Sequence, residues 1–160
     1  MAEAEGGVAV QQGRDGMAKK KEPAGKGAAG ERVKTLLIVE SPAKIKTISK
    51  FLGHDYRIMS TMGHIMDLPS KDIGVEVTDD EIKLTYVPIE GKETQIAQIC
   101  KEASTSDLVL LAPDPDREGE IIAWHIGGEI AKVFKKKNGI KRITFNEITE
   151  EAIKEAIGHP

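Results

Sequence analysis

The sequence predicts an α/β fold, an open and mainly parallel sheet with helices on both faces and an inserted β-hairpin. Three observations support this prediction. Apolar runs of strand length alternate along the chain with amphipathic segments of helical period. The runs are apolar at successive positions, as in parallel sheets that are buried on both faces. The links between the elements are short, which favours a β-α-β succession.

The first predicted β-α unit begins at residue 35. The run TLLIVE, residues 35–40, is a strand that ends in an acid, and SPAKIKTISKFLG follows it as a helix. Ser41 is a suitable N-cap, Pro42 suits the first turn, and Gly53 is expected to end this helix.

The remaining elements continue the alternation. YRIMST, residues 56–61, predicts a second strand, and residues 75–89 alternate on both sides of a polar turn at Asp79 and Asp80, which predicts the hairpin. The later elements are a helix at 92–103, a strand at 107–112, a helix at 118–136, a strand at 141–146, and a helix that Thr149 caps and Gly158 ends. Within these helices Cys100 is predicted to be a core residue, and His125 is predicted to pack with Trp124.

The N-terminal segment has a different composition from the rest. Residues 1–33 are rich in Gly, Ala and charge and have no apolar period, so we predict a disordered tail before a folded domain at 34–158. The tail contains GKGAAG, which matches a dinucleotide-binding pattern. No strand precedes this stretch, so we assign it no role.

Charge and cysteine content restrict the function classes. The chain has a formal net charge of −3 and one cysteine. Tight DNA binding by charge alone is therefore not expected, and binding should be weak and salt-sensitive. A single cysteine excludes an internal disulfide and a cysteine-based zinc site, as is typical of a reducing compartment. No apolar stretch reaches membrane-spanning length, so we expect a cytoplasmic protein without a membrane partner.

Four acids follow two of the predicted strands. Glu40 ends the first strand, and Asp114, Asp116 and Glu118 come just after the strand at 107–112. The carboxyl ends of parallel strands meet at one edge, where ligands gather, so we expect these acids to share a pocket. Carboxylate oxygens favour Mg²⁺, which in turn can hold phosphate oxygens. A solvated acidic loop, in which Arg117 pairs with its neighbours, remains the alternative.

Four strings resemble one family. LLIVESPAKIKTI, GHIMDLP, DPDREGEIIAWHI and FNEITEEAI, in this order, closely resemble the N-terminal Toprim domain of type IA DNA topoisomerases of the bacterial topoisomerase I kind. The resemblance covers about residues 34–158 and implies a Rossmann-like sheet. It also implies Mg²⁺ as cofactor, single-stranded DNA and the remaining domains of the same topoisomerase as partners, and no oligomer.

The resemblance implies roles for individual residues. Asp114, Asp116 and Glu118 match the acidic triad that binds Mg²⁺. Glu40 matches a glutamate beside the scissile phosphate, where it either assists proton transfer at the 3′ oxygen or acts as a further metal ligand. The residues implied to contact the phosphate or DNA are Lys44, Arg117 and His64, the first two counted as catalytic.

The sequence departs from the family at Pro113, where Thr or Ser is usual before the first triad acid. Proline fixes φ and removes an amide donor, so it marks the strand end and alters how Asp114 is held.

Neither Tyr56 nor Tyr86 lies in a nucleophile motif of the family. We therefore expect a fragment that carries the metal and phosphate half of the site and does not relax supercoils alone. A Toprim-type nuclease or primase, a phosphoacceptor domain and a non-catalytic DNA-binding module are the rival interpretations.

Overall fold

A computed structural model describes residues 34–160, so the predicted disordered tail and its GKGAAG stretch lie outside the described residues. The elements, in chain order, are β1 (Thr35–Val39), α1 (Pro42–Ile48), β2 (Tyr56–Ser60), β3 (Met66–Asp67), β4 (Val75–Val77), β5 (Ile82–Leu84), β6 (Val87–Pro88), α2 (Glu93–Thr105), β7 (Leu108–Leu111), α3 (Arg117–Val133), β8 (Ile140–Arg142) and α4 (Glu150–Gly158). No helix among residues 34–160 is both long and apolar enough to span a membrane.

Four strands form a parallel sheet in the order β2-β1-β7-β8. In the central pair, Thr35 lies opposite Leu108. The order places the two strands that carry the acids side by side, and both run in the same direction. The predicted α/β architecture with a parallel sheet between helices is therefore confirmed.

Two apolar layers cover the sheet because successive side chains of each strand point to opposite faces. On one face, Leu36 and Ile38 pack with α2 and α3, whose buried residues include Ile99 and Ile126. On the other face, Leu37 and Leu110 pack with buried residues of α1 and α4, which include Ile48 and Ile153. Burial of each large aliphatic side chain contributes about 1.5–3 kcal/mol, so the fully apolar central strands hold both layers together.

The inserted hairpin is confirmed, with Val75 opposite Leu84 around the predicted polar turn. A second antiparallel pair, β3 with β6, was not predicted, and in it Met66 lies opposite Pro88. Each of these strands has only two residues. Segments of that length carry no periodicity, so their pairing leaves no signal in the sequence.

Two predicted boundaries are wrong by four residues or more. The first helix ends at Ile48 rather than at Gly53, and the hydroxyl of Ser49 donates to the carbonyl of Ile45, a local bond that competes with continued helix. The last strand ends at Arg142 instead of residue 146. The amide of Ile143 still donates to the Leu111 carbonyl at 2.9 Å, but there β7 ends and pairing stops.

The predicted packing of His125 with Trp124 in the middle of α3 is confirmed, since their ring centroids lie 5.1 Å apart. His125 is buried, as predicted for a packing residue. Trp124 is 68% exposed, because it lies on the opposite side of α3 from the buried Ile122 and Ile126.

Close contact between the acidic loop and the start of α3 leaves no space for a side chain at Gly119. A Cβ on Gly119 would lie 1.9 Å from the backbone oxygen of Asp114, whereas a Cβ on Gly128, in the same helix, would have nothing within 4 Å.

We expect Gly119→Ala to lower the free energy of unfolding by about 1–3 kcal/mol, because the backbone must move to relieve the clash. Gly128→Ala is the matched control, and it should raise that free energy by up to about 1 kcal/mol through helix propensity. Urea denaturation followed by circular dichroism measures both. Equal stabilisation by the two substitutions would contradict the described packing.

Candidate active site

The predicted acids meet at the carboxyl edge of the sheet. Glu40 directly follows β1, and Asp114 follows β7, its parallel neighbour. A cavity of about 570 Å³ at this edge is lined by Glu40, Asp114, Asp116 and Glu118, and also by His64. The structure thus brings together side chains that are more than 70 residues apart in sequence.

Lys44 joins the two strand ends. It lies one turn into α1, so its Nζ reaches back to donate to Glu40 Oε1 at 2.8 Å, and it also donates to Asp114 Oδ1. Its side chain is 15% exposed. Burial lowers the pKa of Lys44, but the hydrogen bonds and charges of Asp114 and Glu40 outweigh burial, and the net pKa is raised above 10.5. The ammonium is therefore the cation that holds this pair of acids at neutral pH.

Asp114 is held in its ionised form. The hydrogen bond from Lys44 is the largest cause that lowers its pKa below 3.8, followed by its interaction with Glu40, and the charge of Arg142 adds to them. Partial burial acts in the opposite direction and is outweighed. The amide of Asp114 also lies 3.5 Å from Glu40 Oε2.

The other two acids and Arg117 belong to the start of α3. Asp116 is the N-cap, and its Oδ1 accepts from the amide of Gly119 at 2.7 Å. Arg117 is the first residue of this helix, and both it and Glu118 are exposed. Lys44 touches the acids directly, whereas Arg117 is not among the residues that line the cavity.

The donor set fits a hard divalent cation. Among residues 34–160, no three His, Cys, Asp or Glu side chains lie close enough together to hold a metal ion. Mg²⁺ needs fewer protein ligands, however, since it usually takes one or two carboxylates and keeps several waters or phosphate oxygens. Asp116 and Glu118 share the cavity without contacting Lys44, so they are the acids whose oxygens suit this requirement.

A turn after β2 brings His64 to the cavity. Met62 and Gly63 have φ values of 54° and 84°, and the amide of Gly63 donates to the Glu40 carbonyl at 2.9 Å. The amide of Met62 bonds the Ser60 hydroxyl, and Lys92 Nζ donates to the Met62 carbonyl at 2.6 Å. The backbone of the turn is thus tied to the same strand end that carries the glutamate.

Arg142 is a site residue that the sequence analysis missed. Its guanidinium donates to the carbonyls of Asp114 and Leu111, each at 3.1 Å, and to Glu120 Oε1 at 2.7 Å. It therefore fixes the acidic loop to the end of β7 and to α3. The sequence carried no signal for this role, because an arginine near a strand end is ordinarily a solvated residue.

Comparisons with known proteins identify the family of the chain. A family model described as the Toprim domain matches residues 35–148. The solved structure of full-length topoisomerase I from Thermotoga maritima is 42% identical in sequence, with a TM-score of 0.68. That match covers 78% of this chain and 20% of that chain, so the chain spans about a fifth of the length of this relative.

A small TOPRIM domain protein from Bacillus stearothermophilus is also similar in structure. It is 14% identical, and the match covers 79% of this chain and 85% of that one with a TM-score of 0.43, which is too distant to support a conclusion.

The bridge formed by Lys44 yields a prediction about pH. We expect Lys44→Met to raise the pKa of Asp114 toward its ordinary value, because the hydrogen bond that contributes most to lowering it is lost. Carbon-detected NMR titration of the Asp114 carboxyl measures this shift.

The sign of the accompanying stability change follows from linkage. A lowered pKa in the folded state stabilises the fold above about pH 3.8, and this contribution is lost as the pH falls through the lower folded value. Lys44→Met should remove that acid-dependent part of stability. Lys46→Met, at an exposed position of the same helix, is the control and should leave the Asp114 titration unchanged. An identical titration in both variants would refute the bridge.

Proposed function

The chain belongs to the Toprim family, and from this premise we propose that it forms the Mg²⁺-binding and phosphate-handling half of the active site of a type IA DNA topoisomerase. The parent enzyme, an isomerase, would cut one DNA strand, pass DNA through the break and rejoin it, which relaxes negative supercoils. Its nucleophilic tyrosine would lie in another domain of the same protein. The 42% identity to the Thermotoga maritima topoisomerase I supports this proposal.

One observation carries the proposal: Glu40 and Asp114 meet at one sheet edge and share the ammonium of Lys44. A lone acidic loop would need no partner from another strand. One ammonium among four acids leaves an excess of negative charge, which suits a divalent cation. That cation would then attract an anionic group such as a DNA phosphate.

The acids Asp114, Asp116 and Glu118, with Glu40 as a possible further ligand, are the residues that would hold Mg²⁺. Toprim domains are in general divalent-metal-binding domains. When bound, the ion would supply positive charge to the oxygens of the reacting phosphate. Arg142 and the cap formed by Asp116 keep the loop in place for this role.

The other residues handle the phosphate and the strand. Lys44 would contact the phosphate with the ammonium that now bridges the two acids, and Glu40 would assist proton transfer at the 3′ oxygen with a carboxylate already within hydrogen-bond reach of Lys44. His64 lines the cavity, and Arg117 lies next to Glu118, which also lines it. Both residues are exposed, and they would contact the DNA backbone.

The metal assignment gives a direct test by Mg²⁺ titration and backbone-amide NMR. We expect the amides of Glu40, Asp114 and residues 116–118 to shift together with one affinity. The double substitution Asp116→Asn, Glu118→Gln should weaken that affinity at least roughly tenfold, because it removes the carboxylates that are free of Lys44. Replacing the acids of the hairpin turn, Asp79→Asn and Asp80→Asn, is the charge-matched control. Equal weakening by both pairs would refute the assignment.

The topoisomerase role predicts how the chain behaves with negatively supercoiled plasmid and Mg²⁺. We expect neither relaxation nor nicking, because the chain would lack the tyrosine domain. Agarose gels with and without an intercalating dye distinguish the products. Nicked circles with free ends, formed with Mg²⁺ and lost in Glu40→Gln, would instead identify a Toprim-type nuclease, and relaxed closed circles would contradict the division of the active site.

A further inference from the structure

A second cavity lies along α3, next to the candidate active site. Its volume is about 610 Å³, and its walls are mainly aromatic, aliphatic and glycine residues, among them Trp124, Tyr86 and Gly128. Trp124 is the only tryptophan of the chain, and it is 68% exposed. A large aromatic side chain that is exposed beside an apolar cavity indicates a binding surface.

The indole is held at a fixed angle by its neighbours. Its ring centroid lies 5.8 Å from that of Tyr86 and 5.1 Å from that of His125, and Tyr86 and His125 are themselves 4.5 Å apart at 64°. Such edge contacts orient the ring while most of its surface stays accessible. Because no Cβ projects from Gly128, the adjacent wall of the cavity is low enough for a planar group to approach.

A polar group in the cavity wall is incompletely satisfied. His125 is only 7% exposed, yet among the described residues neither of its ring nitrogens has a hydrogen-bond partner. Burial lowers the pKa of His125, and the charge of His64 adds to this effect against the opposing charge of Glu129. A neutral imidazole offers one donor and one acceptor, and buried polar atoms without partners are rare in the absence of a ligand or water.

Residues of α3 line both cavities, and Arg117 and Trp124, seven positions apart, lie on the same side of this helix. Ile122 lines the first cavity, while Ala123 and Trp124, the next two residues, line the second. His64, in the wall of the first cavity, acts electrostatically on His125 in the second. At 1.5 Å per residue, Trp124 lies about 10 Å along the helix from Arg117. A ligand chain held at the sheet edge can therefore reach the indole.

Exposed lysines follow the second cavity in sequence, at the end of α3 and just beyond it. Lys132 lines the second cavity with a side chain that is 66% exposed, and Lys135 and Lys137 follow it at exposed positions. Glu129 also lines this cavity and pairs with Lys132 at 2.5 Å. The cavity wall thus carries one lysine and one acid, so its charge does not repel a polyanion, and its apolar residues can face the rings of a base.

We propose that this second cavity is a nucleobase subsite, in which a base of the single-stranded substrate stacks on Trp124. The inference rests on the proposed function, since that function supplies the strand. Stacking on an aromatic ring accepts every base, so the subsite would hold the strand beside the site of cleavage without reading sequence.

The single tryptophan makes the test direct. The emission of Trp124 in the full chain is followed at low salt while oligothymidylate, or an abasic oligonucleotide of equal length, is added. A fluorescein label on each oligonucleotide reports binding independently through anisotropy. We expect quenching by oligothymidylate and little or none by the abasic strand, because the two share phosphates but differ in bases.

Substitutions measure the contribution of the ring to affinity. Trp124→Ala should weaken binding of labelled oligothymidylate by roughly 5- to 150-fold, Trp124→Phe should weaken it less, and neither should change binding of the abasic strand. Val133→Ala, at an exposed apolar position of the same helix outside the cavity, is the control. Circular dichroism verifies that each variant is folded.

The outcomes separate this inference from the proposed function. If oligothymidylate binds while the emission of Trp124 does not change, the nucleobase subsite is refuted and the topoisomerase role is unaffected. The aromatic surface would then be a contact site for another protein domain. Equal quenching by both strands also refutes base stacking. If neither strand binds, the DNA role of the chain and the subsite both fail.

Discussion

The ion bridge from Lys44 to Glu40 and Asp114 is the interaction on which the candidate site depends. Two carboxylates at the ends of neighbouring parallel strands repel one another, and partial burial strengthens the repulsion. A buried ammonium between them removes this cost, and the pKa of Asp114 is lowered while that of Lys44 is raised. The bridge also ties α1 to the loop after β7, so the same contact neutralises the acids and fixes their positions.

Most of the fold could be predicted because its central strands are apolar at every position after Thr35. Only a sheet covered on both faces buries Leu36 and Leu37 together, and both are fully buried. The convergence of Glu40 with Asp114 followed from the parallel direction of their strands. The two-residue strands and the early end of α1 were not predictable, since they depend on pairings and local hydrogen bonds that leave no periodic signal.

The hydrogen-bond partners of individual side chains could not be predicted from the sequence. Lys44 could be placed one turn into a helix, but the direction of its ammonium depends on rotamers and on a loop 70 residues away. Arg142 acts on carbonyls about 30 residues distant, which only coordinates reveal. Trp124 packs with His125 as predicted, but its exposure, which places it at the second cavity, left no signal in the sequence.

The separation of Glu40 and Asp114 by 74 residues also has a kinetic consequence. In a parallel sheet, β1 finds its central neighbour only after β2, the antiparallel insert and α2 have been synthesised. The chain must close a long loop before that contact forms, and such topologies reach the native state slowly. During translation, the glutamate therefore emerges from the ribosome long before the aspartate that completes its pocket, and reactive geometry is absent until the domain is nearly whole.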